Sequence, residues 1–224
     1  MKPLQTAPSL VDQVHETLLA AVASGQLPPG ARIIQEQLAQ QLGVSRQPIQ
    51  QALTLLRKEG VLSDAPGRGL QVAPLDLAHV RHMYDVRAVI EGLAFRQAAE
   101  HGSAEAAQRG PALIDAGRQA VATGSYAAMI SADMAFHDFI YALSGNPLVA
   151  PAMDTHWTQT RRVMGEVLMR DDKPRDIWDQ HEALLHAVTQ GDGVRAEALA
   201  RAHILDAADF MITRLQQEQA VTPV

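Results

Sequence analysis

Apolar positions recur at helical spacing along the first sixty residues and predict three short helices. The apolar stripe of the first helix consists of Leu10, Val14, Leu18 and Val22. Gly25 ends this helix, and a second helix is expected over residues 35–42, where Gly43 breaks the pattern. Ser45 is well placed to cap a third helix, which tolerates Pro48 in its first turn. This succession is typical of a helix-turn-helix.

The third helix has an apolar face and a polar face. Its apolar stripe consists of Ile49, Ala52, Leu53 and Leu56. Residue types that read base edges in DNA occupy the opposite face, namely Arg46, Gln47, Gln50, Thr54 and Arg57. Gly60 ends the helix, and short apolar segments on either side of a turn at residues 66–69 predict a two-stranded wing with a cationic tip. A small helical bundle with a solvated polar face is the alternative, but the hairpin favours a winged helix-turn-helix that binds double-stranded DNA.

The remainder of the chain carries alanine- and leucine-rich helical patterns with no convincing strand. We expect six helices, over residues 76–101, 103–123, 125–144, 147–170, 175–190 and 193–218. The last three are separated by Lys173-Pro174 and by a turn around Asp192. The predicted fold class is therefore mainly α. A DNA-binding domain over residues 1–74, with its small β-wing, is followed by a linker at 75–78 and a six-helix bundle at 79–218.

Charge is distributed unevenly between these two parts. The whole chain has a net charge of −6, but residues 1–75 carry +1 and the remainder −7. The acidity therefore lies outside the predicted DNA-binding segment. The chain contains no cysteine, so any metal site must use nitrogen and oxygen ligands. Neither a signal peptide nor a membrane span is evident, which predicts a cytoplasmic protein.

Three histidines and a carboxylate interrupt apolar stripes in the helical part. Asp133 and His137 are four residues apart on one helix face, so they point inward together. His181 precedes Asp192 by 11 residues and His203 follows it by 11, so an antiparallel hairpin brings both imidazoles to one level. Each histidine alone is more often a core residue that hydrogen-bonds to a carbonyl. Four converging ligands instead favour a divalent cation.

The segment from Gly25 to Val72 resembles the winged helix of the GntR family. The matching pieces are residues 25–32, Leu38-Ala39, residues 42–49, Ala52-Leu53, Leu56, Glu59-Gly60 and Arg68-Gly69. The DNA contacts that the resemblance implies are Arg32 and Ser45 on phosphates, Arg46 at the groove, and Arg68 with Gly69 at the wing. The chain departs from the family at Gln50, where an arginine is usual. Glutamine pairs best with adenine, so the usual operator sequence is not expected here.

Residues 78–212 are similar to the FCD domain, the effector domain of the FadR-like branch of that family. The matching motifs are Arg87 with Glu91, Asp133 with His137, Ser144-Gly145-Asn146-Pro147-Leu148, His181-Glu182, and His203. The resemblance implies a metal held by Asp133, His137, His181 and His203, most simply zinc, with nickel or manganese as alternatives. It also implies that Arg87 clamps an effector carboxylate, whereas the residues alone equally allow an intrahelical pair with Glu91. Arg161 and Arg162 are further candidates for effector binding.

Two other functions compete with regulation. A metal site with an open position also suits a hydrolytic enzyme, but His181 and His186 are five residues apart and do not share the helix face that a zinc protease needs. An architectural DNA-binding protein with a structural metal is the second alternative. We therefore expect a homodimeric regulator, a repressor by resemblance, that binds a pseudo-palindromic operator. A small organic acid or sugar acid would control it from a site near the metal.

Overall fold

The computed structural model describes residues 8–169 and 177–221, and the chain divides into two compact units between Leu75 and Asp76. The predicted break at Lys173-Pro174, the predicted helix start at 175 and the first seven residues lie outside the described residues. The first unit contains α1 (Leu10–Ala23), β1 (Arg32–Ile33), α2 (Gln35–Leu42), α3 (Arg46–Lys58), β2 (Leu62–Asp64) and β3 (Leu70–Val72).

The helices of the first unit begin and end where their local sequence allows. Ser9 caps α1 in a capping box with Asp12, each side chain bonding the backbone of the other residue. Gly43 ends α2 in the left-handed conformation, with φ of 65°, which glycine adopts without a Cβ penalty. Ser45 occupies the N-cap position of α3, although its side chain makes no capping hydrogen bond. The apolar stripes of α1 and α3 pack with α2 and the sheet into one core.

The sheet of the first unit has three strands in the order β1-β3-β2, all antiparallel. The predicted two-stranded wing is confirmed as the hairpin of β2 and β3, and β1 adds a third strand that the sequence does not predict, because its two residues show no alternation that sequence analysis can detect. Arg32 of β1 pairs with Gln71 of β3. The extra strand therefore brings Arg32 against the wing, where its Nη2 donates to the carbonyl of Pro66 at 3.0 Å.

The described part of the second unit contains six helices, which confirms the predicted all-helical fold. They are α4 (Leu77–His101), α5 (Ser103–Thr123), α6 (Tyr126–Leu143), α7 (Val149–Leu168), α8 (Trp178–Thr189) and α9 (Gly193–Val221). The first and last helices pair antiparallel over most of their length, as ion pairs between Arg81 and Asp209 and between Arg96 and Glu197 indicate. No helix among the described residues is both long and apolar enough to cross a membrane.

Aromatic side chains line the part of this core that surrounds the histidines. Trp178 is 2% exposed and packs in the groove left by Gly117, where a Cβ would lie 1.9 Å from the indole ring. The indole contacts His181 edge-on with 4.6 Å between ring centroids, and Phe136 stacks on the same imidazole at 4.6 Å. Gly117 on α5 thus leaves room for Trp178, and Trp178 together with Phe136 fixes the orientation of the His181 ring.

Candidate metal centre and nucleic-acid interface

Three histidines from three helices converge inside the second unit. His137 of α6, His181 of α8 and His203 of α9 are buried, and each offers a ligand atom within 4.8 Å of the other two. The Nε2 atoms of His181 and His203 are 3.2 Å apart, as the hairpin around Asp192 predicts. Such a cluster of imidazoles in an apolar core is a candidate metal centre.

Asp133, one helical turn before His137, lies beside this cluster and approaches His181, but it is not among the three residues whose ligand atoms all lie within 4.8 Å of one another. Its Oδ1 lies 3.5 Å from Nε2 of His181, and its side chain is 8% exposed. Two ligands of one tetrahedral zinc ion are separated by about 3.3 Å, given zinc–nitrogen distances of about 2.0–2.1 Å. The observed separations of 3.2 and 3.5 Å are therefore those of atoms that can share one ion.

Acceptor side chains lie against the outer nitrogens of two of the three imidazoles. Nδ1 of His137 is 2.5 Å from Oε2 of Glu91, and Nδ1 of His203 is 2.9 Å from Oε1 of Gln180. The acceptor at Nδ1 of His203 keeps the ring proton there, so the lone pair is at Nε2, where a metal binds. Burial opposes a raised pKa of His137, but Glu91 outweighs it and raises that pKa, so a metal at Nε2 of that ring would displace a proton. Nδ1 of His181 is buried with no hydrogen-bond partner among the described residues, and the contact between Nδ1 of His137 and Glu91 has ion-pair distance without hydrogen-bond geometry.

Burial and neighbouring charges together set the charge state of these groups. It lowers the pKa of His181 well below its usual value, and the neighbouring His203 and His137 lower it further, so the ring is neutral. Burial likewise raises the pKa of Asp133. Burial alone would also raise the pKa of Glu91, but Arg87 and His137 outweigh it and hold that pKa at about 2. A neutral imidazole beside a carboxylate that lacks a full counter-charge suits a divalent cation.

Arg87 connects Glu91 to the neighbouring helix. Its Nε and Nη2 lie 2.8 and 2.7 Å from Oε1 of Glu91, and its Nη1 donates to Oγ1 of Thr160 at 3.0 Å. The guanidinium lies between the rings of Tyr84 and Trp157, at 4.9 and 4.8 Å from their centroids. The intrahelical pair with Glu91 is thus present, and it holds Arg87 rigidly where it also lines the cavity described next.

A cavity of about 70 Å³ adjoins the histidines and the arginine. Its lining includes Tyr84, Arg87, Asp133, His137, Thr160, Gln180 and His203, together with apolar residues of α6, α7, α8 and α9. Arg161 and Arg162 are not among the described lining residues. Thr160, Met164 and Leu168 are the α7 residues that face the cavity, and at about 100° per residue Arg162 points away from it, whereas Arg161 lies next to the direction of Leu168.

Sequence reasoning missed the second layer of this site. Gln180 and Thr160 were not singled out, because a glutamine beside a histidine and a threonine in an apolar helix are common patterns. Glu91 was considered only as a partner of Arg87, and its contact with His137 depends on how α4 packs against α6. The signal that could have revealed this contact is Glu91 itself. A carboxylate in an otherwise apolar stripe is expected to be buried, and a buried carboxylate needs a partner for each of its two oxygens.

The seven predicted DNA-binding residues lie on the exposed surface of the first unit, at the start of α3, on β1 and at the wing. They are Arg32, Ser45, Arg46, Gln47, Gln50, Arg68 and Gly69. Arg46 donates to Glu36 of α2 at 2.7 Å, and Arg32 also contacts the carbonyl of Arg68 at 3.4 Å. Arg57, on the same polar face of α3, pairs with Asp64 of β2. The seven residues are exposed, and the two arginines of α3 are held in place by surface ion pairs.

Comparison with known families covers both units. Residues 82–206 match the FCD domain family, and residues 10–72 match the family described as bacterial regulatory proteins, gntR family. The two matches together include all four candidate metal ligands and all seven candidate DNA-binding residues.

Similar proteins carry related descriptions. An HTH-type transcriptional regulator from an unstable DNA locus of Streptomyces ambofaciens is 29% identical over 85% of this chain and 80% of its own length. A "Probable D-xylose utilization operon transcriptional repressor" of Paenarthrobacter nicotinovorans is 24% identical over 89% of this chain and 87% of its own length. Among solved structures, E. coli McbR/YncC superposes with a TM-score of 0.79 at 23% identity, over 92% of this chain and 99% of that one. This structural likeness shows the fold alone.

Proposed function

The chain belongs to the gntR family of bacterial regulatory proteins and carries an FCD domain, and we propose that a small acid bound beside a divalent metal controls its operator affinity. Membership of this family makes the chain a DNA-binding transcriptional regulator rather than an enzyme. In the proposal, residues 1–74 bind DNA, residues 79–218 bind the metal and the effector, and the protein acts as a cytoplasmic repressor. The relative from Paenarthrobacter nicotinovorans is described as a repressor, which supports repression rather than activation.

The observation that carries the proposal is the placement of the histidine cluster and Arg87 on one cavity. Asp133, His137, His181 and His203 would hold the ion, zinc most simply, with nickel or manganese as alternatives. Their fit rests on the 3.2 and 3.5 Å separations and on the acceptors at two Nδ1 atoms. A bound divalent ion supplies a positive centre for a ligand oxygen.

Arg87 is the proposed second anchor for the acid. Glu91 and Thr160 bind three of the five guanidinium N–H groups and Tyr84 is a further partner, so Arg87 faces the cavity as a charged donor already fixed in place. Because Glu91 contacts both Arg87 and His137, an acid at Arg87 would act on the same network of side chains as the metal. The effector is therefore expected to be a small organic acid or sugar acid.

The metal hypothesis is tested by changing His203, which lies on the cavity and contacts Gln180. The variant His203→Ala should lower both the metal content of the purified protein and its melting temperature. His186→Ala is the matched control, because His186 is exposed on α8 and does not line the cavity. Wild-type protein that carries no metal, and gains no thermal stability from zinc, nickel or manganese, would refute the proposed site.

Operator recognition is proposed to use two copies of the chain. A helix-turn-helix places its recognition helix in the major groove, and a symmetric dimer therefore reads an inverted repeat. Selection from random double-stranded DNA should return a pseudo-palindrome bound by a dimer. Recovery of an asymmetric site bound by one copy would contradict this part of the proposal.

Two alternatives remain distinguishable by the same experiments. An architectural DNA-binding protein with a structural metal would bind its operator equally well with and without an acid. A hydrolytic enzyme would consume the acid or a derivative of it, whereas a regulator releases the ligand unchanged.

A further inference from the structure

Thr54 lies on the polar face of α3, one helical turn after Gln50. It is exposed, and its Oγ1 donates to the backbone carbonyl of Gln50 at 2.8 Å. This hydrogen bond uses the single hydrogen-bond donor of a threonine side chain. It also restricts a β-branched side chain that already rotates little about χ1. The Cγ2 methyl group is therefore held in a fixed position at the surface of α3.

Thr54 shares its helix face with two candidate DNA-binding residues. At about 100° per residue, Gln47, Gln50 and Thr54 lie within about 60° of one another around α3. An arginine at each end of this face pairs with a carboxylate, one of α2 and the other of β2. Uncharged side chains therefore occupy the middle of the face that is proposed to enter the major groove.

The chemistry of Thr54 favours thymine among the four bases. Thymine carries a methyl group at its major-groove edge, and a threonine methyl group makes apolar contact with it. Because the hydroxyl proton is donated to the backbone, the hydroxyl can accept a hydrogen bond in the groove but has none left to donate. The amino groups of adenine and cytosine are therefore the alternative partners, and they would use the hydroxyl group instead of the methyl group.

Resting on the proposed use of α3 in the major groove, we propose that Thr54 is a specificity-determining residue. Its methyl group contacts the C5-methyl group of one thymine in each half-site. Four residues along a helix span about 6 Å, which is between one and two base-pair steps of about 3.4 Å. The thymine is therefore expected within two base pairs of the adenine that Gln50 contacts.

The test replaces each thymine of the selected operator in turn by deoxyuridine, which differs from it by the missing C5-methyl group. Binding of the full-length protein is measured by fluorescence anisotropy. One thymine in each half-site should be sensitive, and its replacement should weaken binding about fourfold, the usual contribution of one buried group of this size. Replacement in both half-sites should weaken binding about 15-fold, because the two contacts are equivalent.

Two variants separate the methyl group of Thr54 from its hydroxyl group. Thr54→Ser removes the methyl group, so it should bind the thymine and deoxyuridine operators equally. Thr54→Val keeps a methyl group and should still distinguish them by about fourfold. Thr17→Ser is the matched control, because Thr17 is exposed on α1 and donates to the carbonyl of Gln13 at 2.7 Å in the same way. This control should keep the full difference of the wild type.

The outcomes separate this inference from the function on which it rests. Equal sensitivity of wild type and Thr54→Ser to deoxyuridine at every position would overturn the role of Thr54. Loss of the difference in Thr54→Val would also overturn it, because the hydroxyl group would then be the contact. If Gln50→Arg still shifts base preference in these cases, α3 reads DNA and the error concerns Thr54 alone. If no variant of Gln50 or Thr54 changes base preference, the proposed use of α3 in the groove fails as well.

Discussion

Removing the charge of Glu91 tests how much its buried contacts with Arg87 and His137 stabilise the second unit. Glu91 is fully buried, and its Oε1 pairs with Arg87, which is 2% exposed. Oε2 of Glu91 contacts His137. Glu91→Gln would leave the guanidinium buried without a counter-charge, a loss typically of about 3–5 kcal/mol. In a chain of this size, that loss corresponds to a fall in melting temperature of roughly 6–20 °C.

A surface pair of the same spacing supplies the control. Glu105 and Arg109 also lie four residues apart on one helix, but their side chains are 49% and 63% exposed. Glu105→Gln should therefore cost less than about 1 kcal/mol. Both tryptophans, Trp157 and Trp178, belong to the second unit, so their fluorescence during thermal unfolding follows this unit alone.

The same substitution also affects the metal hypothesis. A glutamine amide can donate to Nδ1 of His137, which would move the ring proton to Nε2 and block that ligand. Loss of such an outer contact typically weakens metal affinity by about 10–100-fold. Zinc titration of Glu91→Gln should show this loss, and Glu105→Gln should not. Equal stability and equal zinc affinity for the two variants would refute the reasoning.

Two further predictions concern the DNA-binding unit. Gln50 is exposed on α3, so Gln50→Arg should move preference from adenine toward guanine at one position in each half-site, by ~1–3 kcal/mol, in a single-base operator library; uniform scaling of all affinities would show that Gln50 reads no base. Arg32→Ala should weaken binding to all sequences and reduce the salt dependence of affinity, because a phosphate contact is lost; a loss confined to one base position would contradict that role.

The sequence predicts the helices of both units closely because their signals are local. The expected helix at 103–123 is observed as Ser103–Thr123, and the one at 193–218 begins at Gly193. Glycine stops and long apolar stripes set these limits without help from the rest of the fold. The short strand at Arg32–Ile33 was missed, because two residues form a strand only where β3 is present to pair with them.

The same distinction, between local signals and packing of distant helices, separates the parts of the candidate site that the sequence predicts from those it does not. The meeting of His181 with His203 follows from equal distances to one turn, which is a property of the chain itself. The positions of Glu91 and Gln180 against the outer nitrogens depend on packing between helices that are far apart in sequence. Periodicity places a residue on a face of its helix, but it does not state which residue of another helix lies opposite. That neither Arg161 nor Arg162 is among the described lining residues of the cavity depends in the same way on how α7 packs against the other helices.

The measurement that tests the central claim most directly is operator affinity as a function of acid, in protein with and without zinc. The operator would come from selection on random DNA, and the acid would be the tightest binder among acetate, butyrate and threonate. We expect the saturating acid to lower the operator affinity of zinc-loaded protein by about 5–150-fold, the usual range of coupling between two sites. His203→Ala should bind the operator equally with and without the acid. An operator affinity of the zinc-loaded protein that saturating acid leaves unchanged would contradict the account.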